Sequence, residues 1–330
     1  MGESGLLARI LGASGARRMP AAGLLVGPGD DAAVWQPPAG LALVATQDAL
    51  VEGVDFHRGW TTPHRLGRRC IAVSLSDLAA MGARPAFCLV TLCAPASTPL
   101  ADVEALHGGI EEIAAEHRCP LVGGDLSAID GPMVIDVVAG GTVLPDRVLR
   151  RDAGRPGDAL VVTGRLGEAA AGLRVLRGEP AAGAAAAAPA WVSSQLDPVP
   201  RLAEGVELAA AGVRCAGDIS DGLLVDAART AASSGCAAEL WRDAVPVDPA
   251  LRGCFADDWP ALALGGGEDF ELLAAVPLTL LDRLLRDWPP GLAPLTVVGR
   301  LTEGDGLRLL DREGGVELAP PPIASRHFGS

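Results

Sequence analysis

The 330-residue sequence contains neither lysine nor tyrosine. The first absence removes two ways of holding a nucleotide. A Walker A loop ends on a lysine, and a protein-kinase fold presents one from a strand to the phosphates. All 27 basic residues here are arginine, so neither design can be built. Aromatic residues make up only 3% while hydrophobic residues reach 49%, mostly Ala, Val and Leu, so the core must be aliphatic. No apolar run approaches the ~18 residues of a membrane span. The first residues carry acid before base, the reverse of a secretory leader, which predicts a cytoplasmic protein. The seven cysteines form no C-x-x-C pair and read as buried free thiols rather than a zinc site or disulfide framework. Positive charge is scarce as well. A net charge of −14 argues against nucleic acid or an anionic membrane as partner. It also constrains phosphate binding: a carboxylate and a phosphate oxygen about 4 Å apart repel by roughly 4 kcal/mol per charge pair at an effective dielectric near 20. Divalent cations are the natural remedy.

What is present is an alternation of strands and helices. Residues 41–46 and 86–92 are apolar runs of strand length. Between them, 63–81 has helical spacing, with Leu66, Cys70, Val73, Leu78 and Met81 on or near one stripe. Pro63 suits the first turn of that helix and Gly82 the position past its end. A helix is predicted over 99–117, then a strand running into a glycine turn at Gly123–Gly124, then a strand over 133–144. The string RRDAGRPGDALVVTG marks a boundary near 150. Beyond it, strands are predicted over 159–163, 214–219, 237–241, 271–276 and 295–301. The intervening helices fall over 167–177, 200–211, 222–234 and 278–287. The Ala-rich stretch 178–190, flanked by Pro and Gly, reads as a surface connection. The chain is therefore predicted as two α/β domains, 1–150 and 151–330.

Six short acidic motifs recur beside glycines or strand ends. GPGDDAAV carries Asp30 and Asp31, either a solvated turn or a metal site. An apolar strand runs into Thr46, Gln47 and Asp48. Asp77 falls in the last turns of a helix, where an acid opposes the macrodipole by about 0.3–1 kcal/mol. It is a functional acid or an exposed charge. PLVGGDLS ends a strand on Gly124 and Asp125, as a tight turn or as a place where a ligand meets the backbone. Asp218 ends another strand, and Ser220 and Asp221 precede a helix. There they serve as caps, as an anion site, or as both. Glu268 and Asp269 follow three glycines, a binding edge or a sharp turn. Hard oxygen donors of this kind select Mg²⁺, Mn²⁺ or Ca²⁺ over zinc, and Mg²⁺ shares its shell with phosphate oxygens.

The order GDDAAV, TQDALVEGVDF, SLSDLAAMGARP, VGGDLS, GDISDGLLVD, GGGEDFELL resembles the thiamine-monophosphate kinase family. That family sits in the superfamily of aminoimidazole ribonucleotide synthetase and selenophosphate synthetase. The resemblance implies direct phosphoryl transfer from ATP to thiamine monophosphate, with several Mg²⁺ ions and no covalent enzyme intermediate. It implies an N-terminal mixed sheet that forms a homodimer interface and carries ATP and Mg²⁺ sites, followed by a C-terminal α/β domain. Asp31, Asp48, Asp77, Asp125, Asp218 and Asp221 match the family's metal-binding acids, with Thr46 and Gln47 beside them. His107, Gly124, Asp125, Arg151 and Ser220 match positions that contact ATP. Asp55, Glu268, Asp269 and Ser325 match positions at the thiamine substrate. Asp55 stands where the family often has His, Ser325 where an aromatic ring is common, and His107 where Tyr is frequent. Other readings of the residues are another ATP-dependent enzyme of the superfamily, such as aminoimidazole ribonucleotide synthetase, or a non-catalytic nucleotide- or metal-binding scaffold.

Overall fold

A computed structural model describes residues 23–28, 31–179 and 183–323. They fall into two compact units. The first gathers the described residues of Met1–Leu78 and Ala83–Pro145, the second Ala79–Gly82 and the described residues of Asp146–Ser330. The main cut at 145/146 lies five residues before the one read from sequence at 150/151.

In the first unit, β1 (Leu24–Val26) and β2 (Val34–Trp35) pair as a small antiparallel hairpin. The main sheet has the order β3 (Ala42–Val51), β6 (Val134–Val143), β4 (Arg84–Pro95), β5 (Leu121–Ile129). Only β4 and β5 are parallel. Helices α1 (Pro63–Ala80) and α2 (Leu100–Glu116) complete the unit. Leu66, Ile71, Leu75 and Leu78 of α1 and Ile110 and Ile113 of α2 are at most 2% exposed; α2 buries one apolar stripe, whereas α1 is buried on nearly every side from Leu66 onward, Arg69, Ser74 and Ser76 included. Strand β3 alternates: Thr46, Asp48 and Leu50 turn one way, while Ala45, Gln47 and Ala49 are exposed on the other face.

The second unit is built on a seven-stranded sheet of order β13-β12-β9-β11-β7-β10-β8. Its strands are β7 (Ala159–Thr163), β8 (Cys215–Ile219), β9 (Ala237–Trp241), β10 (Glu271–Val276), β11 (Leu295–Thr302), β12 (Leu307–Leu310) and β13 (Glu317–Leu318). The helices are α3 (Glu168–Leu176), α4 (Ala188–Leu196), α5 (Leu202–Ala211), α6 (Leu223–Ser233), α7 (Pro249–Cys254), α8 (Trp259–Gly265) and α9 (Leu278–Asp287). Alternate residues of β7 and β10 enter two separate cores. Leu160, Val162 and Leu273 join one, and Val161, Leu272 and Ala274 join the other. A strand covered on both faces must be apolar at every position, which is why these runs are uninterrupted in the sequence.

Three differences from the sequence reading matter for the site. Thr46, Gln47 and Asp48 do not end a strand, because β3 continues to Val51. Gly123, Gly124 and Asp125 do not form a turn, since β5 passes through them to Ile129. A Cβ on Gly124 would lie 2.0 Å from the Val90 carbonyl oxygen, so the glycine is required by the close approach of β4 rather than by a reversal. Third, the stretch taken as a surface connection contains a 3₁₀ turn over Ala184–Ala186 and the start of α4, which a fully buried Trp191 anchors.

No helix among the described residues is long and apolar enough to cross a membrane. All seven cysteines are free.

Candidate active site

In the first unit, strand alternation sets Thr46 and Asp48 on the face of β3 opposite Gln47. The Thr46 hydroxyl donates to the carboxylate of Asp77, which lies on the last turn of α1. A hydroxyl donor partly offsets the unfavourable placement of an acid at a helix C-terminus. Gln47 does not join this group. Its amide donates to Asp136 Oδ2 at 2.9 Å on the other face of the sheet, because neighbouring residues of a strand point apart. Asp125 is exposed on the edge strand β5, level in register with Thr91 and Asp136. Asp31 is exposed just before β2. Asp30 and Ser325 lie outside the described residues.

Asp55 sits in the turn after β3, and its carboxylate accepts the Val51 N–H at 2.8 Å. His107, on α2, faces Glu111 one turn on at 3.4 Å. Burial lowers the His107 pKa and outweighs the opposing pull of Glu111, so the ring is neutral at physiological pH.

In the second unit, β8 delivers Asp218, which is 3% exposed, and Ser220 and Asp221 follow directly. Arg151 reaches Asp218 Oδ1 at 3.2 Å. Gly217 makes room for it, since a Cβ there would stand 2.8 Å from Arg151 Nε. Neither Ser220 nor Asp221 caps α6. Gly222 takes the N-cap position with no side-chain hydrogen bond, and a third acid does the work from inside the helix. Asp226 Oδ2 accepts the Asp221 N–H at 3.0 Å, and Arg229 bridges Asp226 at 2.9 Å and Asp221 at 2.8 Å. Burial, and then the charges of Asp218 and Asp221, push the Asp226 pKa up to about 7. Sequence reasoning assigned Asp226 no role. The available signal was an acid in the first turn of a helix whose neighbours Leu223, Leu224 and Ala227 are all core residues.

Glu268 and Asp269 lead through Phe270 into β10, which has the bounds expected from the sequence. Their carboxylates part company. Asp269 accepts the Gly167 N–H at 2.9 Å and the Ala169 N–H at 3.4 Å, capping the start of α3. Burial raises its pKa well above the ordinary carboxylate value despite those two donors. Glu268 instead has its N–H bound to the Ser220 carbonyl at 2.8 Å, which ties it to the loop after β8.

The donors fit a hard cation. Every matched metal position carries an oxygen side chain, and the like charges that raise the Asp226 pKa would be relieved by a dication. Among the described residues, no three His, Cys, Asp or Glu side chains cluster closely enough to hold an ion by themselves. Mg²⁺ commonly takes only one or two carboxylates and completes its shell with substrate phosphates and water.

Residues 29–143 match the AIR synthase related protein, N-terminal domain, and residues 155–312 match the corresponding C-terminal domain. Thiamine-monophosphate kinase of Synechococcus elongatus is 38% identical over 297 residues, covering 86% of this chain and 87% of that protein. The crystal structure of thiamine-monophosphate kinase from Stenotrophomonas maltophilia K279a superposes with a TM-score of 0.81 at 37% identity. That match covers 94% of this chain and 96% of that one. AaThiL complexed with AMPPCP and TMP gives a TM-score of 0.76 at 27% identity, over 99% of this chain and 97% of that one.

Proposed function

The chain belongs to the thiamine-monophosphate kinase family of AIR synthase related proteins, and from that premise we propose that it transfers the terminal phosphoryl group of ATP to the phosphate of thiamine monophosphate, yielding ADP and thiamine diphosphate. The observation that carries this reading is 38% identity to a protein of that name over 86% of the chain. The fold supports it too, since a relative of similar architecture was crystallised with both AMPPCP and TMP.

Both reactants are anions, and the acceptor phosphate is already a nucleophile, so positioning and charge neutralisation must supply the catalysis without a strong protein base. Mg²⁺, when bound, supplies Lewis-acid charge to the phosphate oxygens. Thr46, Asp48 and Asp77 in the first unit, and Asp218 and Asp221 in the second, are the residues that would hold ions, with Asp31 contributing; Asp125 lies on the opposite face of the first unit's sheet, with Gln47 and Asp136, and would serve an ion there. In the second unit, Arg151, held at Asp218, offers a forked guanidinium to the triphosphate, with Ser220 in the loop after β8; in the first unit, Gly124 and Asp125 are assigned to the nucleotide. His107, kept neutral by burial, is offered to the adenine. Asp55 in the first unit and Glu268 in the second are assigned to the thiamine ester, while the Asp269 carboxylate is taken up by the start of α3.

This reading places the reaction in the cytoplasm on a homodimer. Seven free thiols suit a reducing compartment. The outer face of the main sheet in the first unit, with Leu43 51% exposed beside Ala45 and Ala49, suits burial against a second copy.

The test is ADP release coupled to identification of thiamine diphosphate by mass, with ATP, Mg²⁺ and thiamine monophosphate each omitted in turn. Product should require all three. Turnover in excess chelator would overturn the metal assignment. ADP formation with formylglycinamidine ribonucleotide, and none with thiamine monophosphate, would move the chain to the aminoimidazole ribonucleotide synthetases.

A further inference from the structure

Glu268 stands in an unusual backbone. Its φ is 68° and that of Phe270 is 50°, so two residues with side chains occupy the left-handed region on either side of Asp269. Such conformations persist only where surrounding bonds enforce them. Here the Glu268 N–H is held by the Ser220 carbonyl at 2.8 Å and the Phe270 N–H by the Ile219 carbonyl at 3.0 Å. The main chain therefore points the Glu268 side chain in one direction, and only its rotamers remain free.

Those rotamers are addressed from α4. Gln195, 4% exposed near the end of that helix, donates through Nε2 to Glu268 Oε2. The helix is itself pinned: Trp191 is fully buried and its indole N–H donates to Asp248 at 3.1 Å, while Ser194 Oγ donates to Glu168 at 3.2 Å. The type of donor matters. The acids Asp221 and Glu271 are met by guanidinium groups, which orient a carboxylate and cancel its charge together. The Gln195 carboxamide orients without adding a charge of its own.

We propose that Gln195 is a positioning residue for the thiamine subsite, where it orients the Glu268 carboxylate as an acceptor for the cationic, amino-bearing rings of the substrate. The inference rests on the reading of Glu268 as substrate-facing, and it assigns a function to a helix unrelated to the acidic motifs. Orientation by a neutral donor should raise affinity for the thiamine ester and leave the nucleotide unaffected.

Steady-state kinetics on the full-length enzyme with Mg²⁺-ATP and thiamine monophosphate tests it, alongside melting curves. Gln195→Met, similar in shape but without the donor, should raise KM for thiamine monophosphate about tenfold, as loss of a hydrogen bond to a charged group implies. KM for ATP and kcat should stay within about twofold. The exchange Gln195→Glu with Glu268→Gln rebuilds the hydrogen bond with donor and acceptor reversed. It should restore the melting temperature but leave KM high, because the charge has moved off position 268. If Gln195→Met leaves KM unchanged, or raises both KM values while kcat falls, or if the exchange restores KM, the positioning role is wrong. Should Gln195→Met not fold, Gln195→Asn, whose amide falls one methylene short, carries the same readout. A wild-type enzyme that makes no thiamine diphosphate would instead overturn the function proposed above. An active wild type with an indifferent position 195 overturns only this inference.

Discussion

Arg201 provides the sharpest test of how the second unit is held together. Its guanidinium lies fork-to-fork on Glu271, Nε to Oε2 at 2.8 Å and NH2 to Oε1 at 2.6 Å. Glu271 opens β10 and is 3% exposed. Its Oε2 also accepts the Thr163 hydroxyl at 2.6 Å, and Thr163 Oγ1 in turn accepts the Leu272 N–H at 2.8 Å. Arg201→Met keeps the aliphatic stem and removes the charge, leaving a buried carboxylate with one hydroxyl donor. Breaking a buried pair from one side costs about 3–5 kcal/mol, a large share of the ~5–15 kcal/mol that holds a domain. At ~2–4 °C per kcal/mol for a unit of this size, the melting temperature should fall by roughly 10 °C. Glu271→Gln should cost less, because the Arg201 side chain is 24% exposed and can turn to water. The double variant should resemble Glu271→Gln alone. Urea unfolding followed by far-UV circular dichroism for the four proteins closes the cycle. A loss under about 1 kcal/mol for Arg201→Met, or a double variant as weak as Arg201→Met, would refute the view that an uncompensated buried charge dominates.

Asp218→Asn should lower the rate of ADP formation by at least about a hundredfold, measured at saturating substrates, with the fold intact by circular dichroism. Asp226→Asn should stabilise the ligand-free protein by up to about 4 kcal/mol at pH 8, the rise from 3.8 to about 7 taken at ~1.4 kcal/mol per pKa unit. The sign follows from a folded pKa raised from 3.8 to about 7: the favourable contribution is complete below the unfolded value and is lost as pH rises through the folded one. The stability gap between variant and wild type should therefore open between about pH 4 and pH 7, and a gap independent of pH contradicts it. Gly217→Ala should push Arg151 off Asp218 at small cost to the fold, since the nearest atom to the new Cβ is the side-chain Nε at 2.8 Å. KM for ATP should rise about tenfold with kcat less affected, in the same coupled assay.

Much of the framework was legible from local pattern. The strands over 159–163, 237–241 and 271–276 and the helix over 278–287 occur where periodicity placed them, and α1 ends one residue early. The strands are specified by their own uninterrupted apolar runs and the helix by its stripe, which is local information. The missing lysine likewise excluded two phosphate-binding designs before any coordinates, because side-chain chemistry does not depend on the fold. Three other matters were decided only by tertiary structure. Gly124 read as a turn because glycine reverses chains, yet it lies within a strand to admit the Val90 carbonyl. Gln47 and Asp48 are adjacent in sequence but occupy opposite faces of β3, so one is parted from Thr46 and Asp77 and the other is not. Glu268 and Asp269 form one acidic pair in the sequence and two roles in space, one carboxylate capping α3 and the other meeting Gln195 from a helix 73 positions away. Composition and periodicity record what each residue can do. Which partner it meets depends on backbone direction and on long-range packing, and neither is written in a neighbouring residue.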